Sequence, residues 1–315
     1  MRARCDSSQT SPGRHPGGDG FRSPPAARRS HWPWCRGCAS TPMGHRRLPG
    51  WCGSPPPTSA WACSRPARKP EECRALPASA RDCPAPTNPE RVEKTHVEPF
   101  DLDRREVTNG EFAAWLNANI GLWQLGTDGI VRTRRAPAIQ LIQATGCGDG
   151  LTITPEGRAQ VTAESAQWPV VCVAWHGADE YCRAQGKRLP RGAEWELAAK
   201  GTEDRPFPWG TDQPRQDGVA FDLRDGAQVH PRAVRSSPQD VSPDGVHDLG
   251  GNVAEWVEDG RGDLVQKTLR GGSFASRGPC HLLSASCARA AGDSHHKDLG
   301  FRCARSVIDR SQEER

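Results

Sequence analysis

Long apolar runs are what this 315-residue chain most plainly lacks. Nothing in it approaches the ~18 consecutive apolar residues of a membrane-spanning helix, so no membrane partner is expected. Residues 1–30 hold no apolar core of the kind a secretory signal needs. The expectation from these absences is a soluble cytoplasmic protein with reduced thiols. No self-similarity of fixed period appears, which excludes solenoids and propellers. Neither a kinase Gly-rich loop nor an H-R-D triplet is present, so a kinase would have to be a separate part.

Leu, Ile, Val and Phe are scarcest at the amino-terminal end, with four among residues 1–95. The same stretch carries 16 prolines, 7 cysteines and 16 Lys+Arg against 7 Asp+Glu, a net of +9. Residues 96–315 carry 26 against 31, a net of −5. So little apolar surface cannot offset the entropy of ordering a segment that long. Cys35 and Cys38 form a C-x-x-C, but no second close pair or His pair completes a zinc site. A basic arm for nucleic acid is disfavoured by the prolines and by the lack of any helical period. Residues 1–91 therefore read as disordered, or as spurious, since GC-rich DNA translated out of frame gives this Arg/Pro/Cys-rich mixture.

From about residue 92 the chain changes character. Thr108 and Glu111 have capping-box spacing ahead of Phe112, Trp115 and Leu116, which share one helical face. QWPVVCVAW (167–175) reads as a buried strand. A short helix through Ala178, Tyr181 and Cys182 should stop at Gly186. Another should bury Trp195 and residues 197–199 and end at Gly201. Between these lie many Gly-containing turn signals. The fold class expected is α+β with much irregular structure.

Seven short blocks then occur in order: PFDLDRREVTNGEF (99–112), WPVVCVAW (168–175), GKRLPRGAEWELAAKG (186–201), FPWG (207–210), GVHDLGGNVAEW (245–256), RGGSF (270–274) and LGFRCAR (299–305). Together they resemble the formylglycine-generating enzyme, or sulfatase-modifying factor, family over residues 92–306, with 307–315 left as a charged tail. The resemblance implies a fold related to C-type lectin-like domains, with structural calcium. In catalytic members it also implies copper- and oxygen-dependent oxidation of a sulfatase cysteine to formylglycine.

In HDLGGNVAEW, Asp248 and Glu255 are hard oxygen donors on either side of a Gly-Gly turn. Calcium takes six to eight such oxygens, while spacing alone fits equally a turn whose acids cap amides. The resemblance selects calcium and implies the side chains of Asp248 and Glu255 with the carbonyls of Gly251 and Val253. A second family calcium site would fall on Phe221 or Asp222, neither the expected Asn. The Trp that often precedes the Glu is here Ala254.

A Cu(I) site wants two thiolates. Counted from Ser273 of the GGS, the family's first catalytic cysteine falls on Ser276 and its second on His281, with Cys280 one residue short. A single thiol and a serine do not make that site, and Cys280 reads as a small apolar side chain. The resemblance also places Cys182 beside Cys303, paired in secreted members and reduced in a cytoplasm. His295-His296 and Arg261-Gly262-Asp263 read as a polar loop and an exposed turn. The function expected is a non-catalytic module that binds a protein or small-molecule ligand, with a serine/threonine kinase system as one possible setting. The alternative is an oxidoreductase acting on a sulfatase through Cys280, with Ser273 and Ser276 beside it and Cu+ as cofactor.

Overall fold

Thr108 opens the first helix, α1 (Asn109–Ala118), through the capping box read from the sequence. Its hydroxyl accepts from the Glu111 N–H at 3.3 Å, and Glu111 Oε2 accepts from the Thr108 N–H at 3.0 Å. Phe112 and Leu116 are fully buried, and Trp115 packs edge-on against Phe112 at 5.0 Å. Helix α2 (Trp175–Ala184) buries Ala178, Tyr181 and Cys182, and the chain turns away at Gly186 with φ of 67°. Helix α3 (Gly192–Lys200) buries Trp195, Ala198 and Ala199 and stops at Gly201, φ 65°. That left-handed φ costs glycine least, which is why it terminates helices.

The structure, a computed structural model, describes residues 51–53, 60–64, 93–148, 150–222, 230–258 and 266–307. The remainder of 1–91, the tail from 308 and Arg261-Gly262-Asp263 lie outside the described residues. Its strands are β1 (Trp51–Gly53), β2 (Ala60–Ser64), β3 (Glu93–Val97), β4 (Phe100–Asp103), β5 (Trp123–Leu125), β6 (Ile130–Thr133) and β7 (Gln140–Gln143). They continue with β8 (Thr152–Ile153), β9 (Ala159–Gln160), β10 (Ala254–Trp256), β11 (Gln266–Arg270), β12 (Cys287–Ala291), β13 (Leu299–Gly300) and β14 (Ala304–Ser306). Two of these precede residue 92: β1 pairs with β4, and β2 with β3. The four-stranded sheet, in order β12-β11-β10-β13, carries the candidate site. Within it β10 and β11 are antiparallel and β10 and β13 parallel.

The strand expected at 167–175 does not form. Residues 169–174 are buried, but they hydrogen-bond through isolated bridges, Thr108 with Pro169 and Ile142 with Val173. Pro169 has no N–H to give a ladder, and Cys172 has a left-handed φ of 60° that breaks the extended run. The main core gathers Phe112, Leu116, Val131, Ile142, Trp256 and Phe301, each at most 1% exposed. Each such side chain contributes about 1.5–3 kcal/mol by leaving water. With three α-helices among the described residues and short strands joined by long turns, the architecture is α+β with much irregular structure.

Candidate functional site

Strand β11 delivers the Gly271-Gly272 pair onto the turn that begins at Leu249. A Cβ on Gly271 (φ +74°) would stand 2.8 Å from the Leu249 carbonyl oxygen, and one on Gly272 only 2.8 Å from that of Gly250. Only glycines let the two segments approach this closely, so the pair fixes the register of the loop that follows. In that loop the Ser273 N–H donates to Ser276 Oγ at 2.9 Å, and the Ser276 N–H donates back to the Ser273 carbonyl at 3.0 Å. The Ser273 hydroxyl donates to Asp298 Oδ2 at 2.9 Å. Asp298 was not anticipated: its approach depends on the parallel pairing of β13 with β10, which no local spacing encodes.

Cys280 does not join the two serines in this turn. It sits partly buried in the 3-10 turn Pro279–Leu282, against the cluster formed by Phe207, Val219, Phe221, Leu282 and Leu283. Nor is it a free apolar thiol, as expected; it is disulfide-bonded, as is Cys287. A hydroxyl at Ser276 and a sulfur already in a disulfide do not fit a two-thiolate Cu(I) site. Phe221, one candidate for a second calcium position, is fully buried in the same apolar cluster.

The turn from Asp248 to Glu255 is built around buried charge. Asp248 and Asn252 both have left-handed φ, 59° and 65°. Glu255 accepts from the Trp195 indole N–H at 2.9 Å and from two Arg302 nitrogens at 2.8 and 2.6 Å, so about one of its lone-pair sites is left, on Oε1. Arg302 is fully buried and also donates to the carbonyls of Asp103 and His247. Asp240 accepts from the N–H groups of Gly250 and Gly251. Asp248 Oδ2 accepts from the Arg235 N–H at 2.6 Å, whereas Oδ1 has no hydrogen bond, with the buried Ser237 hydroxyl nearby. Both carboxylate oxygens of the fully buried Glu106 are also without hydrogen bonds.

Four acids thus share one arginine. Burial and then the charge of Asp248 push Glu106 well above the usual carboxylate range and Asp240 up to about 7. Burial raises Asp248 to about 6. Unpartnered buried oxygens and surplus negative charge are the chemistry a hard divalent cation satisfies. Gly251 and Val253 are buried in the same turn. Among the described residues no group of three or more His, Cys, Asp or Glu side chains closes around a common metal position. Glu106 escaped the sequence reading because it sits in the lead-in to α1, where an acid looks like surface.

Cys182 and Cys303 lie together as the resemblance implied, but they form a disulfide, Cα–Cα 5.6 Å, where reduced thiols were expected. A disulfide between Cys147 and Cys172, Cα–Cα 6.0 Å, had no counterpart in the sequence reading.

Comparison with known proteins settles the family. The sulfatase-modifying factor enzyme 1-like domain matches residues 73–307. The chain belongs to this family. The domain is 30% identical over 240 residues to the inactive C-alpha-formylglycine-generating enzyme 2 of Bos taurus, covering 68% of this chain and 79% of that protein. It is 28% identical over 255 residues to the formylglycine-generating enzyme of Streptomyces coelicolor, covering 68% and 80%. It is 27% identical over 234 residues to the serine/threonine-protein kinase pkn1 of Chlamydia caviae, covering 69% of this chain and 34% of the kinase. Among solved structures, PvdO from Pseudomonas aeruginosa superposes with a TM-score of 0.49 at 24% identity, over 70% of this chain and 86% of that one. The fold is that of the formylglycine-generating enzymes, with its C-type lectin-like relation.

Proposed function

We propose that this domain is a non-catalytic, regulatory binding module for a protein partner or small-molecule ligand, supported by a structural calcium ion. The observation that carries the reading is the turn holding Ser273 and Ser276. Its hydrogen bonds fix a hydroxyl where the family's first thiol belongs, and the nearby Cys280 is committed to a disulfide. Serine is a poor Cu(I) ligand and cannot form a transient disulfide with a substrate thiol. The similarity to an enzyme named inactive, and to part of a kinase, supports a regulatory setting, including a serine/threonine kinase system. All six cysteines from Cys147 onward are in disulfides, which supports an oxidising compartment in place of the cytoplasm.

Calcium would be held by Asp248 and Glu106, with the free lone pair of Glu255 and the carbonyls of Gly251 and Val253. Bound there, it would neutralise buried charge that one arginine leaves uncompensated. The deciding experiment incubates the purified chain with a Cys-x-Pro-x-Arg peptide, copper and oxygen, and follows the peptide by mass spectrometry. No aldehyde is expected. Turnover that disappears in Cys280→Ala would refute the binding-module reading in favour of the oxidoreductase.

A further inference from the structure

The Cys147–Cys172 disulfide is placed unlike the other described pair. Cys182 and Cys303 are both fully buried, beside Phe301 in the main core. Cys147 is partly exposed, in the loop after β7 where Thr145 and Gly146 face solvent, while Cys172 is 1% exposed. The loop lies flat on the segment it is bonded to: a Cβ on Gly148 would stand 3.0 Å from Val171 Cγ2 and 3.3 Å from Cys172 Sγ. Cys172 also holds a left-handed φ of 60°, which a non-glycine residue adopts only when its surroundings impose it.

The backbone of Cys172 is stitched on two sides. Its carbonyl accepts from the Gln143 N–H at 2.9 Å, and its N–H donates to the His296 carbonyl at 3.0 Å. The His296 carbonyl also accepts from the Leu299 N–H at 3.2 Å, so it organises the turn that carries Asp298. Asp298 in turn accepts the Ser273 hydroxyl. A continuous path of covalent and hydrogen bonds therefore runs from the partly exposed Cys147 to the serine turn.

We propose that Cys147–Cys172 is a redox-sensitive clamp on the Ser273–Asp298 site, opened by a dithiol while Cys182–Cys303 stays closed. The proposal rests on this geometry and not on the binding-module reading. A thiolate of the dithiol attacks the Sγ of Cys147, the less buried residue of the pair. The protein S–S bond breaks, a mixed disulfide forms at Cys147, and Cys172 leaves as a thiolate that takes a proton. The second thiol of the dithiol then displaces Cys147, so the dithiol becomes a cyclic disulfide and its two electrons and two protons reside on the protein thiols. Freed of the tether, Cys172 relaxes from its left-handed conformation. Its N–H then swings away from the His296 carbonyl, and the turn bearing Asp298 loosens.

The test titrates the full chain with dithiothreitol, traps thiols with N-ethylmaleimide and quantifies each cysteine by mass spectrometry. Cys147 and Cys172 should label at dithiothreitol concentrations about tenfold below those needed for Cys182 and Cys303. In that partly reduced state, amides of 144–148 and 294–299 should exchange with deuterium about tenfold faster. Labelling of Cys182 and Cys303 first, or together with the other pair, overturns the selectivity. Unchanged exchange at 294–299 overturns the coupling to the site. Cys172→Gly separates the tether from the backbone, because glycine tolerates the left-handed φ at no steric cost and so has no strain to release when the sulfur is gone. It should loosen 144–148 but leave 294–299 protected, and equal loosening of both would refute the relay.

Discussion

Replacing Arg302 with Met removes the cation that, among the described residues, pairs with Glu106, Asp240, Asp248 and Glu255, while keeping a long apolar side chain. Glu255 loses two charge-assisted bonds of 2.8 and 2.6 Å, and the carbonyls of Asp103 and His247 lose a donor. Both partners of the ion pair are essentially inaccessible to solvent, so water cannot substitute. Leaving one side of a buried pair uncompensated costs about 3–5 kcal/mol. For a domain of this size that corresponds to a melting temperature lower by about 6–20 °C. The assay is thermal and urea unfolding of calcium-free protein at neutral pH. Glu255→Gln in the Arg302→Met background should restore at least about 1.5 kcal/mol, since the two residues are in contact and their effects should not add. Calcium should also raise the melting temperature of Arg302→Met by more than that of the wild type. A loss below about 1 kcal/mol in the single variant, or strict additivity in the double, would refute the claim that Arg302 neutralises this cluster.

Calcium at about 100 times its dissociation constant should stabilise the wild type by about 2.7 kcal/mol, read as a melting shift that a chelator reverses. Glu106→Gln should abolish that shift yet leave the metal-free protein about as stable, because a carboxyl that burial pushes well above its usual range, and that makes no hydrogen bond, is replaced by a neutral group of the same shape; a retained shift excludes Glu106 as a ligand. Gly177→Ala, which in an exposed helix would be stabilising by about 1 kcal/mol, should instead destabilise by about 3 kcal/mol, because its Cβ would stand 2.0 Å from the Leu141 carbonyl oxygen. Denaturant midpoints for wild type and variant give the sign directly. Cys182→Ser opens a link spanning 121 residues and should cost about 5 kcal/mol on a chain-entropy basis. Urea midpoints of the variant and the oxidised wild type, compared without reductant so that the other disulfides stay closed, read that loss, and a difference below about 1 kcal/mol would refute it.

Local chemistry was legible wherever the signal lay within one turn. Thr108 with Glu111 announced α1, and Gly186 and Gly201 marked where α2 and α3 release the chain. The order of the blocks carried the fold because each marks a junction between elements. QWPVVCVAW misled for a physical reason: an apolar run signals burial, and burial here is met by isolated bridges around Pro169 and the left-handed Cys172. Glu106 and Asp298 were missed because their roles exist only after distant segments meet. The same holds for Cys147, whose partner lies 25 residues away, beyond the short β8–β9 hairpin.

The residues that define this fold and the residues that would make it an oxidase are separable. Gly271 and Gly272 are fixed by their approach to residues 249–250, and Glu255 by Arg302 and Trp195. None of those constraints involves position 276 or Cys280. A chain can therefore keep the landmark glycines, the acid cluster and the buried disulfide under selection for folding alone. Family membership and these retained landmarks carry no information about activity, which turns on the two sulfur positions. There Ser276 returns its N–H to Ser273, and Ser273 passes its hydroxyl to Asp298, so the loop keeps its shape without a thiol. If that closed hydrogen-bonded turn is what a partner reads, Asp298→Asn, which keeps an acceptor oxygen, should preserve partner binding, and Asp298→Leu should weaken it without lowering the melting temperature by more than about 5 °C.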